Sequence, residues 1–428
     1  MSDSAFTLSE VQKLFRNADY KACLPILEKI IEEHDADTPR QLIGSMLLTC
    51  YQKMAFWDKA LAMGSSLCSS ENCWDSIKQN YAWVIYFAHF KNRSPSNLEE
   101  AVALIDLMHT LTSKQKNQLP LTLAVFSLIS KCTLLTPTVA MQLLEKLDYA
   151  KLEDKEANPD KAEKWTSHKE QYICHYSKAL FMAEQYPLCI DFCQSVLNEK
   201  KAISKDNQFW VLRRLALSYF RTNNPEPAYH IYLQLIHLKP DWYLLFELAQ
   251  IAYALSKTDE ALRYSAQAAL AKSELEMKLH LWEFLYRLLI SQKYFPEAVK
   301  CLSLACALRV QKGWSIDANL LKELGKFNLP PSQLPEPNAL FLELIDSFHD
   351  LAFDAQTLQT GSVANILPHG KAGFIKVNSA SYYFRVTDCQ FPISELNPGL
   401  KVSFYMKKSF DPKKQLETNI AVNIRKVC

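Results

Sequence analysis

The distribution of glycine divides this chain into two unequal parts. The chain has 428 residues but only 8 glycines, and Gly361, Gly370, Gly373 and Gly399 all lie in its last 68 residues. Before Gly361 the sequence is rich in Leu and Ala at helical spacing, whereas after it apolar and polar residues alternate as in β-strands. The sequence therefore predicts a multidomain protein, with an all-α part followed by a small all-β domain.

Charge follows the same division. The net charge is +2, but the residues from Thr360 onward contain ten Lys and Arg against four Asp and Glu, a balance of +6. The preceding residues hold the other 38 basic and 42 acidic side chains, a balance of −4. A basic module on a slightly acidic body indicates that the C-terminal domain contacts a polyanion.

Cysteine usage and the N-terminus indicate a cytoplasmic protein. None of the twelve cysteines forms a C-x-x-C pair, and we interpret them as free thiols that pack as small apolar residues. The N-terminus lacks a basic region followed by an apolar core, and the longest apolar run, residues 120–135, is interrupted by Lys131. We expect no membrane segment.

A pattern of aromatic and small residues recurs between residues 209 and 298. The residues that carry it are Trp210, Tyr219, Ala228, Trp242, Tyr253, Ala261, Trp282 and Ala298. Ala228 and Ala261 are 33 residues apart, and the segment closely resembles the tetratricopeptide repeat, whose period is about 34 residues. The resemblance implies stacked helix pairs over residues 1–327, with the eight residues packing the repeats, and a concave surface that binds a protein or peptide.

Other segments fit this pattern less well. Residues 19–31 and 56–67 resemble second helices of such pairs, and residues 171–197 resemble a degenerate unit with Cys189 at the small position. The unusually aromatic segment 81–90 is interpreted as a buried helix. Residues 328–337 contain four prolines and are predicted to be a linker, followed by a connecting or capping helix over residues 338–357.

Residues 358–428 are predicted to form a small barrel. In LKVSFYMK, Val402, Phe404 and Met406 fall on one face of a strand, and GSVANI reads as the first strand. The segments KAGFI (371–375) and YFRV (383–386) resemble the two ribonucleoprotein motifs of the cold-shock domain, an OB-fold of about five strands. The predicted fold is therefore a tetratricopeptide-like solenoid followed by a cold-shock-like OB barrel.

The resemblance to cold-shock domains implies a surface for single-stranded RNA or DNA, where bases stack on aromatic rings and basic residues follow the phosphates. Phe374 and Tyr383 match the stacking positions, and Arg385 stands where the family usually has His. The basic residues that would line the strand are Lys371, Lys376 and Lys401, with Lys407, Lys408, Lys413 and Lys414 in a loop. The first-strand aromatics are missing, and Ala372 replaces another, so the stacking platform is reduced.

The sequence contains no recognisable catalytic, cofactor or metal motif. It has no phosphate-binding glycine loop, and the histidine pairs His168/His175 and His230/His237 are two helical turns apart, too far to share a metal. We therefore expect a non-enzymatic adaptor that binds a protein through its repeats and nucleic acid through its barrel. The alternative is a pure protein-interaction scaffold whose barrel no longer binds nucleic acid, and a catalytic subunit is a third, less favoured reading.

Overall fold

The computed structural model describes residues 8–32, 37–91, 97–154, 166–199, 203–353, 357–411 and 416–427. The chain forms two compact units, Met1–Asn223 and Asn224–Cys428, and each is described by itself. The boundary between the units falls inside the predicted solenoid, so helices and barrel share the second unit.

The described part of the first unit is helical. Its helices are α1 (Leu8–Arg16), α2 (Tyr20–Glu32), α3 (Asp37–Lys53), α4 (Trp57–Cys68), α5 (Asp75–Ile85), α6 (Leu98–Thr112), α7 (Leu119–Lys131), α8 (Pro137–Glu145), α9 (His168–Met182), α10 (Tyr186–Asn198) and α11 (Lys205–Arg221). A π-helix at Tyr86–Phe90 continues α5, and a 3-10 turn lies at Tyr149–Lys151. Consecutive helices pack around a core that includes Leu27, Leu47 and Ile105.

The described part of the second unit contains seven further helices and five strands. They are α12 (Pro225–Leu238), α13 (Trp242–Ala254), α14 (Thr258–Leu270), α15 (Leu279–Ser291), α16 (Phe295–Lys312), α17 (Ala318–Lys326), α18 (Pro337–Ala352), β1 (Leu358–Ile366), β2 (Ala372–Val377), β3 (Ala380–Arg385), β4 (Lys401–Asp411) and β5 (Leu416–Lys426). The proline-rich segment before α18 contains a 3-10 turn at Pro331–Gln333.

One turn geometry joins five of the helix pairs, across both units. A single residue adopts the left-handed conformation, with φ between 59° and 66°, at Ala18, Ala55, Glu184, Ser256 and Lys293. The next backbone N–H donates to a carbonyl five residues earlier, as from Tyr294 to Leu289 at 2.9 Å. This is the 6→1 bond of the Schellman motif, usually made around glycine. The recurrence of this turn identifies a helical-hairpin repeat that extends into the first unit.

The eight predicted repeat-packing residues occupy different environments. Ala228, Ala261, Trp282 and Ala298 are fully buried, while Tyr219 and Trp242 are half-buried. Trp210 is 37% exposed, which corrects its prediction. Tyr253 is 49% exposed but packs edge-on against Phe284 of the next repeat, with ring centroids 5.8 Å apart. Trp210 contacts Phe209 and Arg213 of its own helix, whereas Trp282 is covered by aromatic rings of α18. Burial of a repeat tryptophan therefore depends on which other helices cover it.

The five strands close into a barrel in the order β1-β2-β3-β5-β4. All neighbouring strands are antiparallel except β3 and β5, which are parallel. Its interior is filled by residues that include Val363, Ile375, Phe384, Val402 and Phe404. The predicted fold class, a tetratricopeptide-like helical part followed by a small OB-like barrel, is confirmed.

Helix α18 connects the helices of the second unit to the barrel. On one side, Phe348 stacks on Trp282 of α15, with ring centroids 6.1 Å apart. On the other side, Asp346 pairs with Arg425 of β5 at 3.0 Å, and the buried His349 accepts a hydrogen bond from the Asn423 side chain. The predicted connecting helix is therefore packed on both sides.

Candidate nucleic-acid-binding surface

The register of β2 and β3 brings the two predicted stacking residues together. Phe374 and Tyr383 are direct cross-strand partners, with ring centroids 5.8 Å apart and planes at 72°. Their strand neighbours Ile375 and Phe384 point into the barrel core, and side chains alternate along a strand, so both rings face outward. Tyr383 is 36% exposed and Phe374 is half-buried. The rings thus form a small platform at the surface.

Basic residues share this outer face. Lys376 lies two residues beyond Phe374 on β2, and Arg385 lies two residues beyond Tyr383 on β3. Ser362 of β1 pairs with both Lys376 and Lys401, which places Lys401 on the same face. All three basic residues are exposed. We call the outer face that carries Phe374, Lys376, Tyr383, Arg385 and Lys401 the β2–β3 surface.

The other predicted basic residues are more scattered. Lys371 is exposed in the turn before β2, where its backbone N–H donates to Nδ1 of His369 at 3.1 Å. Lys407 and Lys408 belong to strand β4 rather than to a loop, which corrects the prediction for both residues. Being consecutive in a strand, they point to opposite faces. Lys413 and Lys414 lie outside the described residues.

Strand β5 links Lys407 to the aromatic pair. Ile420 pairs with Tyr383 on one side and with Lys407 on the other, while the adjacent Ala421 is buried in the core. Tyr383, Ile420 and Lys407 therefore follow one another around the outside of the barrel. Ile420 was not among the residues predicted from the sequence, although the alternation in the last strand contains that signal.

The charges of the β2–β3 surface are largely uncompensated. Within the described part of the chain, Lys371, Lys376 and Lys401 form no ion pair, whereas Arg425 and Lys426 pair with Asp346 and Glu395. Such unpaired cations are available to an anionic ligand.

Asp388, which follows β3, is a carboxylate close to this surface. Burial raises its pKa, while Arg385 and Lys407 oppose that rise. Desolvation lowers the pKa of Lys407, and the nearby Asp388 carboxylate opposes that change. One partly buried acid thus lies close to two basic side chains.

The residues that depart from the cold-shock pattern have a visible consequence. Ala372 is buried opposite Arg385, and Asn365 of β1 lies opposite Phe374 across an irregularity in the strand pairing. Neither side chain can stack on a base. The aromatic platform is therefore limited to two rings.

A second surface of interest lies in the first unit. Trp57 and Phe87 stack with centroids 6.1 Å apart, and Trp83 stacks on Phe87 at 5.7 Å. They adjoin a cleft of about 430 Å³, whose lining residues are Ala55, Phe56, Trp57, Asp58, Lys59, Leu61, Ala88 and His89. We call this the aromatic cleft.

The aromatic cleft changes the interpretation of segment 81–90. Trp83, Tyr86 and Phe87 are half-buried rather than buried, and Lys91 Nζ lies 4.7 Å from the Phe87 ring centroid. Part of the segment is the π-helix, a feature that is frequent at functional sites. The rest of the segment, including Tyr81, Val84, Ile85 and Phe90, is buried as predicted, so the segment is a mostly buried helix with half-buried rings beside the cleft.

Three further observations limit the chemistry of the described residues. They contain no group of three or more His, Cys, Asp or Glu side chains arranged to hold a metal ion. Their cysteines are free thiols, including Cys68 and Cys73, whose sulfur atoms are 3.3 Å apart. None of their helices is both long and apolar enough to cross a membrane.

The fold and these surfaces define a helical-repeat protein with an OB-like barrel. Residues 209–326 match a family described as "Domain of unknown function (DUF7017)". No curated protein matches the chain.

Two of the solved structures that are similar to it are tetratricopeptide repeat proteins. A tetratricopeptide repeat protein from Parabacteroides merdae has 15% identity and a TM-score of 0.28, with 66% of this chain and 97% of that chain covered. The C-terminal part of a tetratricopeptide-repeat-containing protein from Cytophaga hutchinsonii has 14% identity and a TM-score of 0.30, with 68% and 99% covered.

Proposed function

We propose that this protein is a non-enzymatic cytoplasmic adaptor whose helical repeats bind a protein partner and whose barrel binds single-stranded RNA or DNA. One observation carries the nucleic-acid part of the proposal. Phe374 and Tyr383 form an outward-facing aromatic pair, and unpaired basic side chains share its surface. Aromatic rings for bases beside cations for phosphates are what a single-strand binder requires.

The size of the platform sets the expected affinity. Each base stacked on an aromatic ring contributes about 1–3 kcal/mol, so two rings contribute about 4 kcal/mol. That alone corresponds to a Kd of about 1 mM, and phosphate contacts at low salt strengthen binding toward the micromolar range. We therefore expect micromolar, salt-sensitive and weakly sequence-selective binding.

Fluorescence anisotropy of labelled 12-nucleotide RNA and DNA against the full chain, at about 50 and 200 mM salt, tests the proposal. The variant is Phe374→Ala/Tyr383→Ala, and the matched control is Tyr294→Ala/Phe295→Ala, which removes two exposed aromatic side chains from the helical part. We expect the barrel variant to lose binding and the control to keep it. Equal binding by both variants would contradict a role for the platform.

The protein-binding part of the proposal is supported by the aromatic cleft. Stacked, half-exposed Trp and Phe rings are enriched at sites where proteins bind peptides. Affinity purification with the wild type and with Trp57→Ala/Phe87→Ala should recover a specific protein with the wild type alone. Identical recovery would place the partner elsewhere on the helices.

The same experiments address the alternative, a scaffold whose barrel does not bind nucleic acid. It is favoured by the loss of stacking residues at Ala372 and on β1. A folded wild-type chain that fails to bind either oligonucleotide at 50 mM salt, yet recovers a partner through the aromatic cleft, would establish this alternative.

A further inference from the structure

We propose that Arg263 of helix α14 extends the nucleic-acid-binding surface onto the helical part by contacting a phosphate beside Lys407. This inference rests on the proposed function and adds to it a binding residue outside the barrel. The repeat pattern does not point to Arg263, because it concerns the residues that pack the helices. The cold-shock resemblance does not either, because it covers only the barrel.

A chain of contacts brings Arg263 close to β4. Arg263 and Gln267 are four residues apart on α14 and thus share one face of the helix. Gln267 Nε2 donates to the carbonyl of Ala352, at the end of α18, at 3.0 Å. The next residue, Phe353, stacks on Tyr405 of β4, with ring centroids 4.9 Å apart and planes at 20°. This face of α14 is therefore linked to the outer face of β4 through the C-terminal end of α18.

Lys407 completes this geometry. It lies two residues after Tyr405 on the same face of β4, about 7 Å further along the strand. Arg263 lies one turn from Gln267 on α14, so the two basic side chains fall in the same region. In agreement, the charged side chains that affect the pKa of Lys407 are Asp388, Arg385 and Arg263. Lys407 thus interacts with two further cations, Arg385 and Arg263, and with one carboxylate, and the excess of positive charge is suited to an anion.

Arg263 is available for such a contact. Its side chain is exposed, and it forms no ion pair with any other residue that the structure describes. Its guanidinium carbon lies 5.4 Å from the ring centroid of Tyr264, which leaves the N–H groups free to donate. A guanidinium binds a phosphate through two parallel hydrogen bonds, a geometry that an ammonium cannot reproduce.

One nucleic-acid strand can span the distance from the aromatic platform to the region of Lys407 and Arg263. Phe374, Tyr383, Ile420 and Lys407 are successive neighbours across β2, β3, β5 and β4. Three strand spacings of about 4.8 Å separate the first from the last, or about 14 Å. A nucleic-acid strand whose bases stack on Phe374 and Tyr383 can therefore place a following phosphate at Lys407 and Arg263. Contact with a phosphate strengthens binding of all sequences equally.

The test is anisotropy with the full chain and a labelled 12-nucleotide oligothymidylate over a range of salt concentrations. The variants are Arg263→Ala and Arg263→Lys, and the matched control is Arg287→Ala, which removes an exposed arginine from α15 in the same unit. For Arg263→Ala we expect a three- to tenfold weaker Kd and a log–log salt slope smaller by about 0.7, the value for one phosphate contact of a single strand. Arg263→Lys should keep the slope and lose part of the affinity, and Arg287→Ala should match the wild type.

Each outcome decides between the inference and the proposed function. If Phe374→Ala/Tyr383→Ala abolishes binding but Arg263→Ala leaves Kd and slope unchanged, the inference is overturned and the proposed function stands. Equal losses in Arg263→Ala and Arg287→Ala would indicate a general effect of net charge, and also overturn the inference. A wild type that fails to bind overturns the proposed function itself. Circular dichroism of each variant verifies that the chain remains folded.

Discussion

Replacement of Trp282 by alanine should destabilise the second unit far more than the same change at Trp242. Both tryptophans belong to first helices of repeat pairs, but Trp282, in the first turn of α15, is fully buried, and Trp242, the first residue of α13, is half-buried. The Trp282 ring stacks on Phe348, meets Phe341 edge-on at 5.8 Å, and donates through Nε1 to the Leu275 carbonyl at 2.9 Å. It is therefore a contact between the repeats and the helix that adjoins the barrel.

The magnitude follows from the area that is buried. A tryptophan buries about 150–250 Å², which at about 25 cal/mol per Å² corresponds to about 4–6 kcal/mol. Measured Trp→Ala changes in cores are about 3–5 kcal/mol, because the neighbouring side chains partly relax into the cavity. We expect a loss of about 4 kcal/mol for Trp282→Ala and about 1–2 kcal/mol for Trp242→Ala, in proportion to burial.

Hydrogen exchange of the full chain measures this loss, because it resolves the two units and does not assume that they unfold together. Amides of α15, α18 and β5 should lose protection in Trp282→Ala, whereas those of α5 and α7 in the first unit should not. Trp282→Phe keeps most of the stacking but leaves the Leu275 carbonyl without its donor, which costs about 1–3 kcal/mol. Equal effects of Trp282→Ala and Trp242→Ala would refute the reasoning from burial.

Three further predictions concern stability. Burial lowers the pKa of Lys278, which donates to carbonyls at the end of α14, to about 8. The unfolded chain then binds more protons than the folded one between pH 8 and 10, so this group adds about 2 kcal/mol of stability as pH rises through that window. Urea titrations at both pH values should give that gain for the wild type relative to Lys278→Met, and parallel pH profiles would contradict it. Gly361→Ala should lower the melting temperature, because its Cβ would lie 2.6 Å from the backbone oxygen of Lys376, whereas Gly325→Ala in α17 meets nothing and should raise it slightly. Ser256→Gly should stabilise the second unit by about 1 kcal/mol in urea unfolding, since it relieves a left-handed backbone at φ 60°, and no change would exclude strain at that turn.

Several features could be predicted from the sequence because they depend on local pattern. The change from helical spacing to strand alternation near residue 358 follows from the intrinsic periods of the two structures. Ala228, Ala261 and Ala298 are buried, as expected for small residues where two helices approach closely. The alternation in β4 likewise gives the inward direction of Val402 and Phe404.

The turns between helices were less predictable. Their left-handed residues include Ala55, Glu184 and Lys293, which rarely adopt that conformation and carry no sequence signal for it. The hairpin requires the turn, and the packing of the two helices stabilises it whatever residue is present. The repeat is therefore clearer in backbone geometry than in residue identity.

The amino-acid sequence by itself determined the helical hairpins, the position of the barrel and the pairing of aromatic with basic residues, because each follows from the spacing of neighbours along the chain. Tertiary structure decided which tryptophan is buried, since only α18 supplies the rings that cover Trp282. It also decided that Tyr383 lies one strand from Ile420 and that Arg263 of α14 is close enough to Lys407 of β4 to affect its pKa. Arg263 and Lys407 are more than a hundred positions apart in the sequence. Such residues come together only because the barrel closes and packs against a helix.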